Sequence, residues 1–196
     1  MYTAATRGTI IVGRLSGKDE MGSLISDSGD RRGVKNDVPA PVKLSSLINE
    51  HLILCGMRAR TKQEAIDELS SLVAEIEPGL DRKAIVESVL ARERECSTAM
   101  GRGCAFPHGK VAGLEQMIVA VGTSEIGVDF DALDGEPVNF IVLFLTGEVT
   151  TLKYLATLAA FASLTRDPKK LSVIMSAKSP REIMEAADGL DVTLNG

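Results

Sequence analysis

One stretch of the chain gathers side chains that could act together on a substrate. It runs Arg92-Glu93-Arg94-Glu95-Cys96-Ser97-Thr98-Ala99-Met100-Gly101-Arg102-Gly103-Cys104-Ala105-Phe106-Pro107-His108-Gly109-Lys110. A neutral imidazole such as that of His108 is a good nucleophile near pH 7 and can form a covalent intermediate. Attack on a phosphoryl group needs positive charge and N–H donors around the transferred oxygens. Arg92, Arg94, Arg102 and Lys110 supply candidate charge; Ser97, Thr98 and the glycine N–H groups supply candidate donors. Gly101, Gly103 and Gly109 permit close approach and backbone conformations that other residues resist, while Pro107 fixes φ just before the histidine.

Each of these features also has a structural reading. A lone histidine has many uses in a fold. The chain holds only two, and His51, in Asn49-Glu50-His51-Leu52-Ile53, reads as an exposed or half-buried structural residue. The Arg-Glu-Arg-Glu run equally describes a solvated helix face. Cys96, Cys104 and His108 could be imagined as three zinc ligands, but no fourth is evident and thiols are common small core residues, so no metal is expected. Cys104 carries a further hypothesis, that of a redox-sensitive thiol beside the histidine.

The elements that must position this stretch alternate between helix and strand. Thr61-Lys62-Gln63-Glu64 is a capping box, followed by Ala65, Ile66, Leu69, Leu72, Val73 and Ile76 at helical spacing, and the helix should stop before Pro78-Gly79. Asp81 reads as the cap of a second helix, with Ile85, Val89 and Leu90 inward, ending near Glu95. Residues 117–122 and 140–145 are short apolar runs rich in β-branched residues and read as buried strands, with a turn at Asp134-Gly135 between them. Residues 151–165 form a third helix, apolar round most of its circumference and so expected to be covered on more than one side. Leu171–Met175 reads as another strand, and Ser179-Pro180-Arg181-Glu182 opens the last helix. The 92–110 stretch itself reads as a long connection, of the kind that often carries function. Such alternation implies an α/β architecture with helices on both faces of one sheet.

At 196 residues the chain fits one domain, and its net charge of −5 argues against non-specific nucleic-acid binding. Three cysteines are too few for a disulfide framework. No segment reaches the ~18 apolar residues a membrane helix needs, and the N-terminus does not read as a signal peptide. A reducing cytoplasm is therefore the default. Residues 16–41 are rich in Gly, Ser, Asp, Lys and Arg; residues 1–42 are expected to form a flexible tail, with a short edge strand at Thr9–Val12, ahead of a domain over 43–196.

The ordered set Arg92-Glu93, Ser97-Thr98, Gly101-x-Gly103 and Ala105-Phe106-Pro107-His108-Gly109-Lys110 resembles the phosphorylation-site motif of the enzyme IIA domains of the bacterial phosphotransferase system, fructose/mannitol class. The segment Val128-Asp129-Phe130-Asp131-Ala132-Leu133-Asp134-Gly135-Glu136-Pro137-Val138 is also similar to a family segment, and the likeness covers residues 43–190. Pro-His-Gly-Lys and Asp-Phe-Asp favour the nitrogen-regulatory and fructose-type branches over the mannitol one.

The resemblance implies a single α/β domain with a mixed central β-sheet and helices on both faces. It implies a phosphocarrier in which His108 accepts phosphate from an HPr-type carrier protein and Arg92 stabilises the phosphoryl charge. Ser97, Thr98, Gly109 and Lys110 would line the site, and no cofactor is called for. Many members place a second histidine at the start of the third helix; that place falls on Thr151, whose hydroxyl could partly substitute. With no fused IIB or membrane domain in this sequence, a regulatory role is expected, its partner a regulatory target protein. Relay of phosphate to a IIB domain for sugar uptake, and a degenerate binding module that carries no phosphate, stand as the alternatives.

Overall fold

Two long strands, β6 (Ile118–Val128) and β7 (Val138–Thr146), carry apolar side chains toward both faces, so the sheet they form must be covered on both. Alternate residues of β7 show how. Phe140, Val142 and Phe144 enter one core, and Ile141, Leu143 and Leu145 enter the other. The computed structural model describes residues 42–147, 152–188 and 191–192. The expected tail therefore lies outside the described residues apart from Val42, and the expected Thr9–Val12 strand and Thr151 lie outside them entirely.

The first core is closed by helices α3 (Leu152–Leu164), α4 (Pro168–Ser176) and α5 (Pro180–Asp188), the second by α1 (Lys62–Ile76) and α2 (Arg82–Glu95). The helix starts follow capping chemistry. At α1 the Thr61 hydroxyl accepts from Glu64 N and the Glu64 carboxylate accepts from Thr61 N, completing the capping box. The backbone amides of Arg60 and Thr61, both donating to the Glu64 carboxylate, hold that carboxyl below its usual range. Asp81 caps α2 through Lys83 N, and Ser179 caps α5 through Glu182 N.

The remaining strands are short: β1 (Val42–Lys43), β2 (Ile53–Leu54), β3 (Ala99–Gly101), β4 (Cys104–Ala105), β5 (His108–Lys110) and β8 (Asp191–Val192). The main sheet has six strands in the order β2-β6-β7-β4-β3, with β5 also paired to β7. β6 and β7 are antiparallel, whereas β2 lies parallel to β6 and both β4 and β5 lie parallel to β7. The sheet is therefore mixed, with helices on both faces, as expected. A separate antiparallel pair joins β1 to β8.

Two expectations are corrected. Leu171–Met175 is helix, not strand. Its β-branched residues suggested a strand, but Asp167 accepts from the amides of Lys169 and Lys170 and Pro168 occupies the first helical turn. Burial follows the helix: Leu171 and Ile174 are inside while Val173 is 55% exposed, where alternation would have buried Val173. The 92–110 stretch is likewise no long open connection. Once α2 ends it folds into β3, β4 and β5 and becomes part of the sheet.

Candidate functional site

The site is assembled where the C-terminal half of α2 crosses β5. Ser88, Ala91, Arg92 and Glu95 recur at helical spacing and line one cavity of about 560 Å3 with His108, Gly109, Lys110, Thr146 and Tyr154. One residue further round the helix, Val89 and Glu93 point into the core.

β5 is held against α2 by a steric fit and a hydroxyl. A Cβ on Gly109 would stand 2.8 Å from Val89 Cγ2 and 3.1 Å from the Val89 backbone nitrogen, so only glycine allows the strand this close. The Ser88 hydroxyl donates to Lys110 O at 2.7 Å and accepts from Lys110 N at 2.9 Å. On its other side β5 pairs in register with β7, His108 opposite Phe144 and Lys110 opposite Thr146. Just before β5 the Pro107 carbonyl accepts from Phe144 N at 2.9 Å.

Both ring nitrogens of His108 are engaged. Nδ1 lies 3.1 Å from the Phe106 carbonyl oxygen, which can only accept, so this nitrogen carries the proton. Nε2 consequently holds the lone pair, and it accepts from Arg92 Nε at 3.1 Å. Arg92 is fixed further by donation from Nη1 to the Cys96 carbonyl at 3.3 Å. The imidazole is therefore oriented as a nucleophile with a guanidinium at its reactive nitrogen.

A buried carboxylate holds the turn after α2. Glu93, 4% exposed, accepts from Thr98 N at 3.0 Å and from the Thr98 hydroxyl at 2.6 Å. Lys62 Nζ stands 3.9 Å from Glu93 and 2.5 Å from Asp131. Thr98 thus commits its amide and its hydroxyl to Glu93. Ser97 donates to Phe130 O at 3.2 Å. Both residues nonetheless border a second cavity of about 390 Å3 with Arg92, His108, Met100 and Leu155.

That second cavity corrects the reading of α3. Its apolar excess is not covered on more than one side: Phe161 and Leu164 enter the core, while Leu155 is 52% exposed and Met100 53% exposed at the mouth of the cavity.

Of the candidate residues, Arg92, Ser97, Thr98, Gly109 and Lys110 are brought to one or other cavity beside His108. Arg102 is not. It sits with Gly103 in the β3–β4 turn, both at positive φ, as a two-residue hairpin loop of this hand requires. Its guanidinium donates to Thr165 O at 2.6 Å. Asp134 accepts from the Arg102 amide at 2.9 Å, and backbone donors at Arg102 and Glu136 hold its carboxyl below the usual range. His51 is exposed in a short 3-10 turn, its amide donating to Asn49. The redox hypothesis for Cys104 fails as well: the thiol is fully buried and desolvation pushes its pKa up to about 12, the reverse of a reactive cysteine.

Sequence reasoning missed several residues that line the site, Ser88 and Tyr154 among them. Ser88 lies one helical turn before Arg92, so spacing along α2 could have found it. Tyr154 is one of only two tyrosines in the chain. Its ring centroid lies 6.4 Å from that of His108 with the planes tilted by 54°.

The comparisons with known proteins agree with this architecture. The nitrogen regulatory protein IIA-Ntr of Neisseria meningitidis superposes with a TM-score of 0.67 at 28% identity, covering 74% of this chain and 98% of that one. The nitrogen regulatory protein of Bradyrhizobium diazoefficiens is 33% identical over 139 residues, which is 69% of this chain and 90% of that protein. The fructose-specific EIIABC component of Bacillus subtilis is 28% identical over 144 residues, 74% of this chain but only 23% of that longer protein. The family model for the phosphoenolpyruvate-dependent sugar phosphotransferase system, EIIA 2, matches residues 46–188, and the chain belongs to that family. Among the described residues no helix is long and apolar enough to cross a membrane.

Proposed function

We propose that this chain is a phosphocarrier that accepts a phosphoryl group on Nε2 of His108 from an HPr-type protein. The observation that carries the reading is the pair of contacts on the imidazole, Phe106 O at Nδ1 and Arg92 Nε at Nε2. The first fixes which nitrogen attacks. The second keeps a cation at the point where phosphoryl charge arrives.

In the transfer, a bond forms from Nε2 to phosphorus as the donor's phosphorus–nitrogen bond breaks, and that electron pair returns to the donor imidazole. Arg92 must give up its bond to the lone pair. It exchanges one hydrogen bond to a neutral nitrogen for bonds to anionic phosphoryl oxygens, where both partners carry charge. The His108 ring becomes positively charged when Nε2 is substituted, and the Phe106 carbonyl together with the attached dianion offsets that charge. Lys110, in the same cavity, adds positive potential. The apolar mouth formed by Met100 and Leu155 beside the imidazole suits a docking protein rather than a small polar donor.

The role is regulatory, of the nitrogen type. Likeness over most of the length of nitrogen regulatory proteins supports this, and its partner would be a target that distinguishes free from phosphorylated His108. Relay to a IIB domain is the second reading, supported by likeness to the corresponding part of a fructose-specific EIIABC component.

The test is incubation with phosphoenolpyruvate, enzyme I and HPr, followed by intact mass at neutral pH. The expected result is an acid-labile phosphate adduct on the full chain that is absent from His108→Ala. No adduct on folded protein, or one that survives in His108→Ala, rejects the reading.

A further inference from the structure

The proposed transfer uses His108 and Arg92 and leaves unused the aromatic side chain that shares their cavity. Tyr154 lies in the first turn of α3 and is 8% exposed. Its ring packs edge-on against Phe144, with centroids 6.4 Å apart and planes at 79°. Phe144 is also the β7 residue in register with His108. One residue of the sheet therefore sets both the position of the imidazole and that of the phenol ring.

Tyr154 lines the His108 cavity together with Arg92, Lys110 and Thr146. A tyrosine with a buried ring is ordinarily placed so that its hydroxyl meets a polar environment. Burial raises the phenol pKa, and the positive charge of Arg92 acts on it in the opposite direction, so the hydroxyl lies within the field of the guanidinium and stays protonated at neutral pH. A neutral donor of this kind can bond a phosphoryl oxygen without adding a charge that would be buried in the free state.

We propose that Tyr154 is a further catalytic residue of this site: its phenolic O–H donates to a non-bridging oxygen of the phosphoryl group on Nε2 of His108, alongside Arg92. The proposal rests on the reading of His108 as the phosphate acceptor. It places on the third helical segment a described residue that serves the nucleophile.

The full chain is phosphorylated in parallel by phospho-HPr and by phosphoramidate, a small donor that needs no docking surface. Acceptance and hydrolysis are followed by intact mass and 31P NMR for wild type, Tyr154→Phe, Tyr154→His and His108→Ala. Tyr154→Phe keeps the ring and its packing and should unfold at the wild-type temperature. It should nevertheless slow acceptance from both donors by about tenfold, the scale of one lost hydrogen bond to a charged group, and shift the phosphohistidine resonance. Tyr154→His, which restores a donor, should recover part of the rate. Acceptance and hydrolysis in Tyr154→Phe within a factor of two of wild type overturn the proposal while leaving His108 as acceptor. Slowing with phospho-HPr alone also overturns it, because that outcome assigns the hydroxyl to docking. A folded wild type that takes phosphate from neither donor overturns this proposal and the reading beneath it.

Discussion

Two walls flank His108, and they are built on different principles. The α2–β5 wall is close-packed and polar: a glycine against a valine backbone, a serine hydroxyl bridging both backbone groups of Lys110, and a guanidinium on the reactive nitrogen. The α3 wall presents an aromatic ring and then aliphatic side chains that remain half in solvent. Geometry that must be constant for the chemistry is fixed by backbone contacts on the first wall. The surface proposed to meet another protein is left apolar and unfilled on the second. On the proposed function, rigid placement of the nucleophile and adaptable recognition of a partner are thereby separated within one small site.

That contrast predicts that substitutions on the first wall damage the chemistry whichever donor is used. The largest effect is expected at Arg92. Its side chain touches the imidazole and the Cys96 carbonyl but enters neither core. Arg92→Ala should lower the acceptance rate by about 100-fold with HPr or with a small donor, the usual loss on removing one charged donor from a transition state. Its melting temperature should stay within about 2 °C of wild type. Arg92→Lys should fall between, since an ammonium keeps the charge but not the Nε–H geometry. A wild-type rate in Arg92→Ala, measured by rapid-quench phosphorylation, would remove the guanidinium from the mechanism and with it the distinction between the walls.

Gly109→Ala comes next. The new methyl would meet the Val89 side chain and the Val89 nitrogen, and the second of these cannot rotate away. Pushing β5 off α2 should cost about 1–3 kcal/mol of stability, as overpacking does elsewhere. The acceptance rate should fall as His108 shifts relative to Arg92. Denaturant unfolding and the same rapid-quench assay check both parts. An unaffected variant would show slack between helix and strand, and the first wall would then be no tighter than the second.

Elements whose signals are local were legible in the sequence. The capping box at Thr61 and Glu64 started α1 where expected, and the Asp134-Gly135 turn separates β6 from β7. The Arg92–His108 pair was legible only as a motif, and the structure supplies its geometry. Signals that depend on tertiary partners were misread. Leu171–Met175 has strand-like composition, but the Asp167-Pro168 start and the core beneath Leu171 and Ile174 decide for helix. Residues 99–110 looked like loop because no strand there exceeds three residues; β4 and β5 form on the edge that β7 offers, and β3 pairs in turn with β4. Arg102 looked like site charge until the turn aimed it at Thr165. Tyr154 has no local signal, since its role appears only when α3 is folded back over Phe144 and His108.

Ser88 offers the finest test of the first wall. Its hydroxyl both donates to and accepts from the Lys110 backbone, so Ser88→Ala removes two hydrogen bonds at once. Lys110 is exposed and β5 remains paired with β7, so water replaces part of what is lost. The expected cost is about 1 kcal/mol, at the modest end for hydrogen bonds, with at most about a twofold slower acceptance. Hydrogen exchange at the Lys110 amide should speed up while exchange in the middle of β7 stays as it was. If Ser88→Ala instead weakened the protein as much as Gly109→Ala, the hydroxyl bridge rather than the glycine fit would be what fixes the distance between α2 and β5. If it changed nothing, not even exchange at Lys110, that distance would be set by packing alone.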